Sequence, residues 1–305
     1  MKKTLLNIFL FILAIPLLFL LIVAIAFAIS NRTNGRILTS GEQRKYLLYV
    51  PDSYNADSPT PLVITFHGFA QWPANQMQVS QWNDLADEFG FIVVYPSGTN
   101  FPLRWRVNPD SSEPDGPEKE VAFITDLIDE LENQYNIDSN RIYANGLSNG
   151  GGMSVLLACR LSDHIAAIGG VAGAYVTPWD ECNPKRPVPM IVFHGLEDQI
   201  VPYQGASAEK SRISLPELPT WVREYASLNG CNLAAKELTI TSSVTAVQYM
   251  QCAQDAEVVF YTIADGGHSW PGGGKLPEWI VGKTSMDIDA TRLIWEYFEE
   301  YSLNN

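Results

Sequence analysis

Histidine and cysteine are scarce, four of each in 305 residues, and no cysteine pair has the C-x-x-C spacing of a zinc knuckle. Positive charge is also short, with 20 Lys plus Arg against 34 Asp plus Glu, a formal balance of -14. Such a surface repels phosphate backbones and excludes nucleic acid as a partner. No run of like charge is long enough to act as an interaction tail, and no repeat of the length of a solenoid or propeller unit recurs. The acidic scatter Asp110, Glu113, Asp115, Glu118 and Glu120 lacks the spacing of an EF-hand and reads as a solvated loop.

What is present is an ordinary globular composition, 46% hydrophobic and 18% charged, with Gly and Pro spread along the chain. Lys2 and Lys3 precede an uncharged apolar stretch over 8–29, long enough to cross a bilayer as a helix. Export is expected. The stretch exceeds the usual core of a cleaved signal, which favours an uncleaved anchor, although Ala26-Phe27-Ala28 offers a small-residue cleavage pattern. No cysteine lies near it to carry a lipid. Residues 1–30 are therefore expected to be signal or membrane anchor, 31–35 a tether, and 36–305 one globular domain placed outside the membrane. In that oxidising setting Cys159, Cys182, Cys231 and Cys252 suggest two disulfides. Three pairings exist, of which sequence-neighbour pairing closes the shortest loops.

Short strands are expected over 37–38 and 45–50, turning at Gly41, and buried parallel strands over 62–66, 91–95, 141–144, 166–171, 190–194 and 258–263. Helical spacing fills the gaps at 81–89, 121–135, 153–161, 219–228 and 288–301. Alternation of this kind implies an α/β fold with a doubly wound, mostly parallel sheet and helices on both faces.

The chemistry centres on Gly146-Leu147-Ser148-Asn149-Gly150, between an expected buried strand and an expected helix. That is the context of a Gly-x-Ser-x-Gly nucleophile elbow, in which the serine sits at the tip of a sharp turn and glycines two residues away avoid collision. A serine hydroxyl needs a base and an orienting carboxylate. Among the four histidines, His268 lies in the glycine-rich segment Asp265-Gly266-Gly267-His268-Ser269-Trp270, just past a strand, and is the expected base. His67 and His194 end apolar strands and precede glycine, His194 reading as a packed strand-end residue, and His164 lies in a polar turn. Asp198, following the strand at 190–194, is the expected acid, with Glu197 its nearest rival and Asp265 shaping its own turn. Backbone amides of Phe69 and Asn149 are the expected oxyanion donors. Trp270, Trp105 and Trp72 are expected to line a shallow aromatic substrate surface. No metal or cofactor is required by this chemistry.

Together the segments Tyr46-Leu47-Leu48-Tyr49-Val50-Pro51, Phe66-His67-Gly68, Gly90 to Pro96, Gly146 to Gly151, His194-Gly195 with Asp198, and Gly267 to Gly272 resemble the exported polyhydroxybutyrate depolymerase and feruloyl esterase family. The resemblance runs from Arg44 to Trp270. It implies the α/β-hydrolase fold, a triad on Ser148, Asp198 and His268, pairing of Cys159 with Cys182, and a carboxylic ester substrate, with polyhydroxybutyrate and feruloyl polysaccharide among the family's candidates. A short or aromatic acyl group is expected, because the stretch 175–189 has no long amphipathic segment to form a lipase-type lid. The rival classes are a serine peptidase on the same fold, and a noncatalytic binding protein on a hydrolase scaffold.

Overall fold

The computed structural model describes residues 14–19, 21, 32–108, 113, 115–211 and 213–304. Most of the expected leader, including the pattern at 26–28, lies outside the described residues. Among the described residues no helix is long and apolar enough to cross a membrane.

Ten strands form one sheet: β1 (Gly35–Thr39), β2 (Glu42–Tyr49), β3 (Thr60–Phe66), β4 (Ile92–Pro96), β5 (Ile137–Leu147), β6 (Ala167–Val171), β7 (Met190–Gly195), β8 (Lys236–Thr239), β9 (Val244–Tyr249) and β10 (Val258–Ile263). Their spatial order is β1-β2-β4-β3-β5-β6-β7-β10-β9-β8. The block from β4 to β10 is parallel throughout, whereas β1 and β2 at one edge and β9 and β8 at the other are antiparallel. The expected mostly parallel sheet of an α/β hydrolase is thus present.

Side chains alternate across the strands, so each strand feeds two cores. On β3 and β4, Leu62, Ile64, Phe66, Ile92 and Val94 face one core, and Val63, Val93 and Tyr95 face the other. The first core is closed by the helices Gly116–Gln134, Asn149–Arg160 and Leu218–Leu228. The second is closed by Pro73–Ser80, Trp82–Phe89 and Ala290–Phe298. In Gly116–Gln134 the buried Phe123, Ile124, Leu127, Ile128 and Leu131 form the stripe that its 3.6-residue period predicts.

Several elements depart from expectation. β1 begins at Gly35 and Asn34 is already bonded to Leu48 on β2, so the last residues read as tether belong to the domain. The helix Pro73–Ser80 is absent from the periodicity because it buries polar groups: Gln76 donates to Thr65 Oγ1 at 3.0 Å and Ser80 to Gln76 O at 2.7 Å. β8 is an almost wholly exposed edge strand, without the apolar alternation that would reveal it.

The acidic scatter is corrected in part. Glu120 is not in a solvated loop but on the helix Gly116–Gln134 and wholly buried, where it accepts from Arg44 and from Arg106, each at 2.7 Å. Arg106 extends the chain to Glu42 at 3.1 Å. Breaking a buried ion pair on one side typically costs about 3–5 kcal/mol. The network therefore braces the loop that carries Trp105 and Arg106. Both disulfides follow the neighbour pairing, Cys159 with Cys182 and Cys231 with Cys252.

Candidate active site

Ser148 follows directly on β5 and adopts φ 57° and ψ -119°, a left-handed backbone that L-residues rarely hold without compensation. Its own N–H donates to Val171 O at 2.9 Å, and its carbonyl accepts from Gly152 and Ala174 at 3.2 and 3.0 Å. The flanking glycines are sterically required. A Cβ on Gly146 would lie 2.5 Å from the carbonyl carbon of Gly150, and one on Gly150 would lie 2.2 Å from Phe66 O. The tip is thus wedged between β3 and the helix that follows, and the hydroxyl is held at the carboxyl edge of the sheet.

Asp198 and His268 come from the turns after β7 and β10 at that same edge. His268 Nδ1 donates to Asp198 Oδ2 at 2.7 Å. The other carboxylate oxygen, Oδ1, accepts the backbone amides of Ile200 and Val201 at 2.9 and 2.8 Å. Burial alone would push the Asp198 carboxyl up, but hydrogen bonds from His194 and His268 outweigh it and hold it well below the usual carboxylate range. The two turns are stitched together by Glu197 N–H donating to Gly266 O at 3.0 Å, and the histidine loop is backed by His268 N–H to Val281 O. Glu197 is exposed, and Asp265 pairs with Lys283. The structure therefore brings Asp198, and neither rival carboxylate, to His268.

The loop after β3 lies against Ser148, since a Cβ built on Gly68 would sit 3.4 Å from Ser148 Cβ. Around Phe69 the neighbouring amides are occupied: Gly68 N–H donates to Gln71 Oε1 at 3.1 Å and Ala70 N–H to Leu103 O at 2.8 Å. Asn149 opens the helix Asn149–Arg160, where the first amides have no acceptor within the helix. Its side chain clasps the backbone of Trp105, accepting from N–H at 2.7 Å and donating to the carbonyl at 3.2 Å. Beside these residues lies a cleft of about 540 Å³ whose walls include Phe69, Trp105, Asn149, Val176 and Ile213. That volume lies within the range of small-molecule sites.

A family model described as Esterase PHB depolymerase matches residues 44–179, a span that includes Ser148. Over those residues the chain carries the sequence of the PHB depolymerase esterase family. Feruloyl esterase B of Piromyces equi is 31% identical over 245 residues, covering 76% of this chain and 44% of that protein. The chain thus spans less than half the length of the Piromyces protein. Putative esterase NocK of Nocardia uniformis subsp. tsuyamanensis is 28% identical over 281 residues, covering 86% of this chain and 80% of its relative. Among solved structures, the acetyl xylan esterase from Aspergillus awamori aligns with a TM-score of 0.57 at 16% identity, over 87% of this chain and 98% of that one. At that identity the likeness speaks for the fold alone, which is the α/β-hydrolase fold.

One of the expected substrate contacts, Trp270, is corrected, whereas Trp105 is among the residues that wall the cleft. Trp270 is 0% exposed and sits in the core, its indole N–H donating to Thr291 Oγ1 at 2.8 Å. It has no face to offer a substrate. Trp105 is 2% exposed; its indole packs edge-on against Phe66 and donates to His67 O at 2.9 Å, so it braces the cleft wall. Trp72 is half-buried at the start of Pro73–Ser80, packed against the second core. A glycine-rich loop suggests exposure, but the whole stretch from Gly266 to Pro271 is buried. Trp270→Ala is accordingly expected to cost about 3–5 kcal/mol of stability in denaturant unfolding. The KM of the folded fraction is expected to stay close to that of the unaltered enzyme; a large rise in KM at unchanged stability would restore Trp270 to the substrate.

Two histidines do more than pack. His67 donates from Nδ1 to Gly68 O at 2.8 Å and accepts the Gly98 amide on Nε2 at 2.9 Å, which fixes its tautomer and clamps the loop beside Ser148. Burial lowers its pKa to about 4, so it holds this arrangement uncharged at neutral pH. His194 reaches Asp198, at 3.2 Å from Oδ2. The four-residue spacing of His194 and Asp198 across a Gly-containing turn was the one signal in the sequence that could have exposed this contact. His164 lies at the opposite edge, before β6 begins.

Proposed function

We propose that the chain is a carboxylic ester hydrolase that works through an acyl-enzyme on Ser148. The observation that carries the reading is the placement of a left-handed Ser148 on the same sheet edge as a buried, hydrogen-bonded Asp198–His268 pair. In this reading His268 Nε2 takes the Ser148 proton as Oγ attacks the ester carbonyl, and Asp198 keeps the other nitrogen protonated and pointed. Amides of Phe69 and Asn149 receive the oxyanion. His268 then protonates the departing alcohol, and a water activated by the same histidine releases the acid.

The substrate class follows from two supports. The names of relatives, feruloyl esterase and acetylxylan esterase, favour esters of aromatic or short acyl groups on polysaccharide. The connection from β6 to β7 contains only the short turn Trp179–Glu181, tethered by the Cys159–Cys182 disulfide, and no amphipathic helix to cover the cleft. An open cleft suits a bulky or polymeric ester better than a dispersed long-chain lipid. The two disulfides favour an extracellular site of action. On a panel of p-nitrophenyl acyl esters, methyl ferulate, acetylated xylan and polyhydroxybutyrate, kcat/KM is expected to be higher for butyrate or methyl ferulate than for palmitate. Preference for palmitate with interfacial activation would overturn the substrate reading.

A further inference from the structure

We propose that His194 is a positioning residue for the Asp198–His268 pair, sharing the carboxylate oxygen that His268 uses and so setting both its direction and its pull. The inference rests on the triad reading above. His194 lies on β7 and is 2% exposed. Its Nε2 sits 2.8 Å from Val201 O and 3.2 Å from Asp198 Oδ2. A carbonyl and an ionised carboxylate only accept, so Nε2 carries a proton and divides it between them. Nδ1 has no hydrogen-bond partner among the described residues. A proton there would be a buried donor with nothing to accept it, so the pattern of neighbours selects the Nε2–H form.

The ring is fixed from the side as well. Tyr203 stands edge-on to it, with centroids 6.2 Å apart, and Tyr203 Oη is bonded to Thr262, the residue opposite His194 on β10. Asp198 consequently meets four N–H donors: two amides on Oδ1, two imidazoles on Oδ2. A carboxylate filled in this way cannot turn about its own axis without losing bonds on both oxygens. The titratable groups acting on it are His268 and His194, while Glu197 beside it is exposed.

Two consequences follow. Without His194, one side of Oδ2 is released and the carboxylate gains freedom to tilt away from His268, which lowers kcat. The remaining negative charge on Oδ2 also falls on His268 alone. That stabilises the imidazolium, so the pH at which the neutral base is lost moves upward. A residue that merely fills space would not move this limb.

The test compares His194→Phe, which fills the site without a donor, with His194→Gln, whose amide nitrogen reaches the position of Nε2. With p-nitrophenyl butyrate, His194→Phe is expected to lower kcat roughly 10- to 100-fold with little change in KM, and to raise the acid limb of kcat/KM by roughly half to one pH unit. His194→Gln is expected to recover most of the rate and the original limb. An unmoved limb in a folded His194→Phe, or a Gln variant as impaired as Phe, overturns the proposal. If His194→Phe does not fold, His194→Asn replaces it, since its shorter amide cannot reach Asp198; equal limbs for Asn and Gln then overturn the proposal. Failure of the triad reading looks different: the unaltered enzyme would itself lack serine-dependent esterase activity.

Discussion

Ser148→Ala is expected to lower kcat/KM for a p-nitrophenyl ester by roughly four to six orders of magnitude. The size of the loss follows from the role: no other hydroxyl stands at the elbow tip, and without it the acyl-enzyme route closes. What activity remains comes from binding and from the amides around the carbonyl, which the substitution leaves in place. Stability is expected to change little. Alanine at φ 57° carries much the same backbone cost as serine, and the hydrogen bonds that hold the tip run through the Ser148 amide and carbonyl. A loss of activity accompanied by a collapse of the thermal transition would assign Ser148 to structure.

Asp198→Asn is expected to be the next most damaging change, lowering kcat roughly 10⁴-fold while the fold persists. The geometry dictates how. Oδ1 accepts two backbone amides, from Ile200 and Val201, and an asparagine keeps its carbonyl oxygen there because its amino group would meet those donors head-on. The amino group is then forced to the position of Oδ2, where it faces two imidazole N–H groups, from His268 and His194. His268 can relieve the clash only by moving its proton from Nδ1 to Nε2, the nitrogen that must be free to accept from Ser148. The substituted enzyme should therefore regain rate at high pH only through a different base, and its pH profile should lose its original acid limb. A variant with more than a tenth of the unaltered rate and an intact profile would contradict the assigned acid.

The sequence exposed the backbone of this account where its physics is local. The elbow at 146–150 was legible because glycine is needed on both sides of the tip, and the helix Gly116–Gln134 because its apolar residues keep a helical period. The parallel strands were legible as uninterrupted apolar runs, since β3, β4 and β7 are buried on both faces. Elements that bury polar groups or face solvent were not. Pro73–Ser80 hides Gln76 in a hydrogen-bonded pocket, and β8 has one exposed residue after another.

Long-range pairings were equally hidden. That Glu120 would lie between Arg44 and Arg106 depends on three elements meeting, and nothing in an acidic stretch marks which carboxylate turns inward. Trp270 shows the same limit in reverse. Nearness to His268 in sequence suggests a substrate contact for Trp270, but which way an indole turns from its loop is decided by tertiary packing, and Trp270 is wholly buried. His194 packs at its strand end as its apolar neighbours imply, but its ring nitrogen also reaches the carboxylate four residues on.

An activated nucleophile at Ser148 is detected by covalent labelling with a fluorophosphonate and mass spectrometry of the digested protein. The predicted result is one adduct per chain, on the peptide containing Ser148, formed by the unaltered enzyme and absent from Ser148→Ala. An adduct on another residue, or equal labelling of the alanine variant, would contradict it.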